Sequence, residues 1–261
     1  MGQVLPTHRL AHSPYGGLAQ PAITQAIRLL SKGPFSPEPQ LAERQRWSLQ
    51  NVCVDPFSDL PTAYTTNGDD SHLAPSAYSC NSFSWVHIFP EGMIHQAKQK
   101  TMRYFKWGVA RLILEASECP DIVPIWLEGF DQIMHENRGF PRFLPRPSNN
   151  VSITFGSKVD SEAIFGDMRR RWQEIKAKAK RSASETEELP FGVLSDELIN
   201  NEQAVELRKE VTFKVRELVL EVRRSRGLPD EDPKHSLADT WIREGPKRTG
   251  KMKDESWIRE E

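Results

Sequence analysis

The stretch WVHIFPEG, residues 85–92, decides how this chain is organised. Trp85, His87 and Phe89 alternate on one face of a β-rich run, and aliphatic residues lie between them on the other face. Because both faces carry large apolar side chains, the run predicts a buried strand. The Pro-Glu-Gly that follows predicts a turn at the carboxyl edge of a sheet, where α/β proteins place their ligands.

Further strands and helices are predicted on either side of this stretch. Residues 3–7 (QVLPT) predict a short strand, and residues 21–30 predict a helix that begins at a proline. Apolar positions three and four apart predict an amphipathic helix at residues 103–116. Strands are predicted at residues 121–127 (DIVPIWL) and 151–155 (VSITF). Strands that alternate with helices favour an α/β sandwich with a largely parallel sheet flanked by helices, in which these strands share one sheet.

Composition shifts along the chain predict its larger divisions. Residues 1–160 form the predicted α/β domain, and residues 34–82, rich in Pro, Ser, Asn and Asp, predict a disordered insertion. Residues 161–226 predict a charged helical extension, and residues 227–261 a mostly disordered tail. The second helix of the extension carries one apolar stripe, which consists of Leu207, Val211, Val215, Leu218 and Val222.

The overall composition excludes several classes of protein. Thirty-five basic residues balance thirty-six acidic ones, so no global charge favours nucleic acid as a partner. No apolar run approaches the roughly 20 residues of a spanning helix. Cys53, Cys80 and Cys119 are too scattered for a disulfide framework or a zinc site, and no metal is expected.

Four short sequence motifs occur in an order that resembles the motif order of a known family. They are GQVLPTHR at residues 2–9, WVHIFPEG at 85–92, FKWG at 105–108 and VPIW at 123–126. This series resembles the second, third and fourth blocks of the glycerolipid acyltransferase superfamily. The resemblance covers about residues 2–155 apart from the insertion. It implies a partial sandwich of that family's type and a phospholipid substrate.

The resemblance also implies a substrate site. Arg9 matches the basic residue of the second block, and its planar fork suits the phosphate of a glycerolipid. Phe89, Pro90, Glu91 and Gly92 match the third block, in which the glycine lets substrate approach the backbone. Arg9 and Glu91 also have interpretations that involve no substrate. Arg9 is then a surface arginine, and the Glu91 carboxylate caps a turn.

Pro124 matches the fourth block, which is associated with the acyl-chain side of the pocket. A proline at a strand edge also needs no function. The helix predicted at residues 103–116 has two readings as well. It packs on the sheet, or it lies in a membrane interface, where the candidate headgroup contacts are Lys100, Arg103, Lys106 and Trp107.

The catalytic base of the family is missing from the sequence. The family uses a His followed by four residues and an Asp, and none of the seven histidines has Asp five positions on. His87 alternates with aromatic residues and reads as a buried core histidine, so no catalytic residue is assigned. In the family this block precedes the second block, so we expect either a sequence truncated upstream or a lipid-binding protein without catalysis.

The words around FPEG narrow the expected activity. They are similar to the branch of the superfamily that transfers acyl chains between phospholipids, such as phosphatidylcholine, and monolysocardiolipin to remodel cardiolipin. This similarity implies peripheral attachment to mitochondrial membranes. No cofactor is implied if the acyl donor is a phospholipid, whereas an acyl thioester donor would imply coenzyme A.

Overall fold

The computed structural model describes residues 17–32, 63–64, 72–73, 84–97, 99–135, 139–141, 143–182, 189 and 191–243. The chain divides into two compact units. The first unit consists of Met1–Ile88, Trp107–Pro120 and Ser161–Lys209, and the second of Phe89–Lys106, Asp121–Asp160 and Glu210–Glu261.

The first unit is built around helix α1, Pro21–Leu29, which begins at a proline as predicted. Ile23, Ala26 and Ile27 of α1 form a buried cluster with Leu112. Arg28 at the end of the helix donates from Nε to the carbonyl of Phe191 at 3.0 Å. The predicted helix at residues 21–30 is therefore confirmed.

The run predicted as a buried strand is extended, but it is not a strand. In the first unit, Val86 and Ile88 pack against the cluster of α1. Trp85 is 80% exposed, and His87 beside it is exposed too. The prediction that both faces are buried is wrong, because only the aliphatic face meets the core.

Two helices of the first unit pack on each other. Helix α2, Gly108–Glu115, and the long basic helix Ser161–Ser182 (α4) contact one another. Arg169 of α4 donates to the carbonyls that α2 leaves at its end, including Ala116 at 2.8 Å. The apolar positions predicted at residues 103–116 are buried; they are Phe105, Val109, Leu112, Ile113 and Ala116.

The C-terminal part of the first unit contains a short helix, Asp196–Asn200 (α5), capped by the Ser195 hydroxyl. Helix α6 follows at Glu202–Ser225, and its residues are divided between the two units. The apolar stripe predicted on α6 is buried throughout. Its residues are Leu207, Val211, Val215, Leu218 and Val222. Within the predicted insertion, the two-residue strands Ala63–Tyr64 (β1) and His72–Leu73 (β2) pair antiparallel; the rest of that insertion lies outside the described residues.

The second unit contains a two-stranded sheet. Strands Ile125–Glu128 (β3) and Ser152–Phe155 (β4) pair antiparallel, with Ile125 opposite Phe155. Between them lies the four-residue helix α3, Phe130–Ile133. Gly129 turns the chain at φ 90°, and a side chain there would lie 2.0 Å from the carbonyl oxygen of Asn150.

The predicted parallel sheet is not confirmed. Among the described residues, β3 and β4 are antiparallel neighbours, and the extended run at residues 84–89 joins no sheet. A parallel pair needs a crossover that returns the chain to the same end of the sheet, usually through a helix, and the helix described in this connection is the four-residue α3. The strand predicted at residues 3–7 lies outside the described residues. The described residues therefore confirm a fold of mixed helices and strands.

The C-terminal strap, residues 229–243, is ordered where the sequence predicted a disordered tail. It contains a 3₁₀ turn, Pro233–Ser236, capped by Asp232, and helix α7, Ala238–Arg243. Glu231 and Trp241 are buried, at 2% and 8% exposure. These two side chains hold a segment that is otherwise rich in charge and proline.

Gly156 offers a test of packing in the second unit. A Cβ at this position would lie 2.6 Å from a methyl of Val222 and 2.8 Å from Cγ of Pro124. We expect Gly156→Ala to lower the free energy of unfolding by about 1–3 kcal/mol, because a packed core resists added volume. Denaturant unfolding measures this. Gly139→Ala, which has no atom within 4 Å of its added carbon, is the matched control and should cost less.

Candidate functional site

The turn at residues 89–92 is closed by its own backbone. The amide of Gly92 donates to the carbonyl of Phe89 at 3.0 Å. Gly92 has φ 68°, a left-handed conformation that glycine adopts without strain. A side chain there would also lie 3.2 Å from Cγ of Lys106, so the aliphatic part of that lysine occupies the space beside the glycine. Phe89 at the start of the turn is 63% exposed.

Two of the sequence motifs, WVHIFPEG and FKWG, are connected by hydrogen bonds at this turn. The amide of Lys106 donates to the carbonyl of Pro90 at 2.7 Å, and the amide of Arg103 donates to the carboxylate of Glu91 at 2.9 Å. The FPEG turn is thus bonded to the segment that leads into FKWG. Glu91 therefore holds a backbone segment twelve residues along the chain, and its carboxyl is buried within the second unit.

The environment of Glu91 changes its acidity. Burial raises the pKa of Glu91 to about 7, because a charged carboxylate loses hydration there. The Arg103 amide and the positive charges of Arg216 and Arg103 oppose this rise, and Glu231 adds to it. A carboxyl with this pKa is protonated in a large fraction of molecules at neutral pH, so it can donate as well as accept a hydrogen bond.

A buried ionic network lies next to the turn in the second unit. The carboxylate of Glu231 is 2.6 Å from Nη2 of Arg216 and 3.2 Å from Nε of Arg223. It also accepts from the amide of Met102 at 2.7 Å. All three charged side chains are 3% exposed or less. Buried charges persist only when they are paired and hydrogen-bonded, and this network meets both conditions.

The same arginines hold the backbone of residues 99–103. Arg216 donates to the carbonyls of Met102 and Arg103 at 3.0 and 3.1 Å. Arg223 donates to the carbonyls of Lys100 and Gln99 at 3.0 and 3.2 Å. The segment beside Glu91 is irregular, and these bonds satisfy backbone groups that no strand pairs.

Sequence reasoning missed Glu231, Arg216, Arg223 and Trp241. A signal was present, since Arg216 and Arg223 are seven residues apart and each adjoins a residue of the buried stripe, Val215 or Val222. Two arginines on an apolar helix face require an acidic or carbonyl partner. The partner itself stood in a segment without periodicity, which gave no reason to expect order.

Two of the candidate headgroup contacts are engaged within the second unit. Lys100 is 2.7 Å from the carboxylate of Glu128, and the pKa of Glu128 is held below its usual range, first by this hydrogen bond. The guanidinium of Arg103 lies 4.6 Å from the ring centroid of Trp241 in the strap. Such a cation over an indole face is an attractive contact within the protein.

The other two candidate contacts differ from each other. Lys106 is exposed, and its ammonium donates to the Tyr104 hydroxyl at 2.7 Å. Trp107 belongs to the first unit, where the guanidinium of Arg208 lies 5.8 Å from its ring. The apolar face of α2 is packed inside the protein, which favours the packing reading of that helix over an interfacial one.

Arg9 lies outside the described residues, so its place in the site stays a prediction. Pro124 is buried; its carbonyl accepts from the amide of Gly156 at 2.8 Å, and its ring packs near that glycine. That contact gives Pro124 a packing role and does not test the acyl-chain role that the resemblance implies.

His87 is not the core histidine that the sequence predicted. Its side chain is exposed, and its ring lies 6.3 Å from that of Trp85 in a stacked orientation. In the part of the chain that the structure describes, no group of three or more His, Cys, Asp or Glu is arranged to hold a metal ion. Over the same residues, no helix combines the length and apolarity needed to cross a bilayer.

Comparison with known proteins supports the class of protein, phospholipid acyltransferase, that the FPEG and FKWG segments indicate. No family model matches the chain. It is similar to an N-acylphosphatidylethanolamine synthase of Arabidopsis thaliana, with 34% identity over 79 residues, 30% of this chain and 28% of that protein. The chain is thus similar to the phospholipid acyltransferases.

Within that class the chain is tafazzin-like. It is 31% identical over 255 residues to tafazzin of Saccharomyces cerevisiae, a match that covers 93% of this chain and 58% of the yeast protein. It is 32% identical over 87 residues to tafazzin of Drosophila melanogaster, which covers 33% of this chain and 22% of the fly protein. The chain therefore spans little more than half the length of its yeast relative, and the predicted resemblance is confirmed.

The raised pKa of Glu91 predicts a dependence of stability on pH. A carboxyl whose folded pKa exceeds its unfolded value favours the folded state at low pH and loses that contribution as pH rises through about 7. Between pH 4.5 and 8 the loss should approach about 3 kcal/mol. Glu91→Gln removes this pH dependence. The variant should therefore be more stable than the parent at pH 8 and equally stable near pH 4.5.

Unfolding in denaturant across this pH range provides the measurement. Exposed Glu174→Gln is the matched control and should follow the parent at every pH. An equal gap between parent and Glu91→Gln at pH 4.5 and pH 8 would contradict the assignment.

Proposed function

We propose that this chain is a tafazzin-type phospholipid acyltransferase that binds a phosphate-bearing glycerolipid at the Glu91 turn. Its expected reaction moves an acyl chain between phospholipid, such as phosphatidylcholine, and monolysocardiolipin at a mitochondrial membrane. The observation that carries the proposal is the bonding of the FPEG turn to the FKWG segment through Glu91 and Pro90. Similarity to yeast tafazzin over 93% of the chain supports it.

The turn suits a polar lipid group. Gly92 is exposed and has no side chain, so a substrate oxygen can approach its backbone. Lys106 lies against this glycine with an exposed ammonium, which can attract a phosphate. A protonated Glu91 can donate to a phosphate or hydroxyl oxygen without the repulsion that a carboxylate would cause. By the resemblance, Arg9, which lies outside the described residues, is proposed to bind a lipid phosphate.

The membrane contact is proposed for an exposed apolar surface of the second unit. Phe140 and Phe143 are 86% and 73% exposed in the connection between β3 and β4. Along β4, Ile153 and Phe155 point to one face and are 53% and 65% exposed. Exposed apolar side chains of this size, clustered in sequence, are typical of membrane or protein contacts. Arg146 in the same connection is exposed and can meet lipid phosphates.

The chemistry sets a requirement that the site residues do not meet. When an acceptor hydroxyl attacks the donor ester, a base must take the hydroxyl proton, and the leaving hydroxyl of the lysolipid must receive one. Among the 261 residues, no His has Asp five positions on. This favours, as a second candidate, a lipid-binding protein that does not catalyse transfer.

We expect Phe143→Ser to weaken binding to vesicles of phosphatidylcholine and cardiolipin by roughly tenfold. Withdrawing one large apolar side chain from an interface costs about 1.5–3 kcal/mol at full burial, and partial burial lowers that figure. Co-sedimentation measures the affinity. Phe213→Ser, which alters a 52% exposed phenylalanine of α6, is the matched control. Equal losses in both variants would assign binding to general hydrophobicity.

Transfer of a labelled acyl chain from phosphatidylcholine to monolysocardiolipin tests the activity. We expect the 261-residue chain to bind these vesicles and to turn over at least 10²-fold more slowly than yeast tafazzin assayed beside it, because a positioned base contributes about 10²–10⁴-fold. Comparable turnover would mean that another group is the base. His87, exposed and two residues from Phe89, is then the first candidate, and His87→Gln should abolish the activity.

A further inference from the structure

We propose that Glu231 in the C-terminal strap is a positioning residue for Glu91: it fixes the backbone segment that Glu91 binds, and it engages Arg216, which would otherwise pair with Glu91. The inference deepens the proposed function and rests on it for the lipid.

Glu231 and Glu91 bind adjacent amides of one short segment. Glu231 accepts from Met102 at 2.7 Å through Oε1, and Glu91 accepts from Arg103 at 2.9 Å through Oε2. The Arg103 amide shares one rigid peptide plane with the Met102 carbonyl, and Arg216, which Glu231 engages at 2.6 Å, donates to that carbonyl at 3.0 Å. The strap thus helps to set where the Arg103 amide points and where the Glu91 carboxyl lies.

Arg216 is the cation that both carboxylates could use. Its Nη2 donates to Oε2 of Glu231 at 2.6 Å, and its remaining bonds reach the carbonyls of Met102 and Arg103. Among the described residues, the bond that Glu91 accepts is the one from the Arg103 amide. Glu231 therefore takes the charge-assisted bond that would otherwise stabilise an ionised Glu91.

The strap itself is anchored by Trp241. Its indole Nε1 donates to the carbonyl of His235 at 2.9 Å, and its ring faces the Arg103 guanidinium at 4.6 Å and His95 at 4.8 Å. These contacts place Arg103 against the strap. The charged groups that act on Glu91 are thus Arg103, Arg216 and Glu231.

The consequence for lipid is a pH dependence. An ionised Glu91 repels a phosphate, whereas the protonated form can donate a hydrogen bond to it. Binding of a phosphate-bearing lipid should therefore weaken as pH rises through the pKa of Glu91. Without the Glu231 charge, Arg216 is available to Glu91, so the same weakening should occur at lower pH.

Carbon-13 NMR titration of the Glu91 carboxyl in the full chain tests the proposal without lipid. The resonance is identified by its absence in Glu91→Gln. In Glu231→Gln, which keeps the size of the side chain, we expect the midpoint to fall by about one pH unit, a tenfold change in the acid dissociation constant. Exposed Glu221→Gln on α6 is the matched control and should leave the midpoint in place.

A second variant covers the case in which Glu231→Gln does not fold. Trp241→Ala loosens the strap without removing a charge, and the added hydration should lower the Glu91 midpoint too. An unchanged midpoint in whichever variant folds would overturn the proposal. Sedimentation with vesicles of phosphatidylcholine and lysophosphatidic acid then follows binding against pH; absence of any binding would count against the proposed function and leave the titration result intact.

Discussion

Buried carbonyl oxygens without a strand to pair them are the constraint on which this structure depends. The described interior is mostly helical, but irregular segments such as residues 99–103 enter it, and each buried carbonyl there must find a donor. Arginine side chains supply those donors in each unit. In the first, Arg111 reaches Leu18 and Gly192, and Arg208 reaches Leu198 and Ile199. In the second, Arg216 and Arg223 satisfy residues 99–103.

This way of pairing backbone makes arginine hard to replace. A guanidinium presents several donors in a fixed plane, so one side chain can serve two carbonyls and a carboxylate at once. Lysine has a single point of charge and would leave some of those oxygens without partners, at about 1–3 kcal/mol each. Among the described residues, two carboxylates face these four arginines: Glu115 lies 2.6 Å from Arg111, and Glu231 lies 2.6 Å from Arg216 and 3.2 Å from Arg223. The charge balance of the interior is therefore set by carbonyl dipoles as well as by carboxylates.

Periodic patterns predicted the helices well, because an apolar stripe reports directly which face is buried. The apolar positions predicted at residues 103–116 and on α6 are buried, although the first of these helices, α2, begins only at Gly108. The sheet was harder, since an alternating run such as residues 84–89 shows that two faces differ and cannot show which one is covered. The FPEG turn was predicted as part of the site because its sequence is similar to the third block of the acyltransferase superfamily. Glu231 could not be found in that way, because a single carboxylate in a charged segment carries no period, and its burial depends on ion pairs with Arg216 and Arg223.

The exposed aromatic residues of the connection between β3 and β4 also affect how the protein behaves in water. Phe140 and Phe143 remain largely solvated in one copy, and burying them against a second copy removes that apolar area from water. The proposed lipid contact and any contact with a second copy would then use the same side chains. Under that proposal a molecular mass measured in plain buffer would describe a different equilibrium from one measured with detergent or vesicles present.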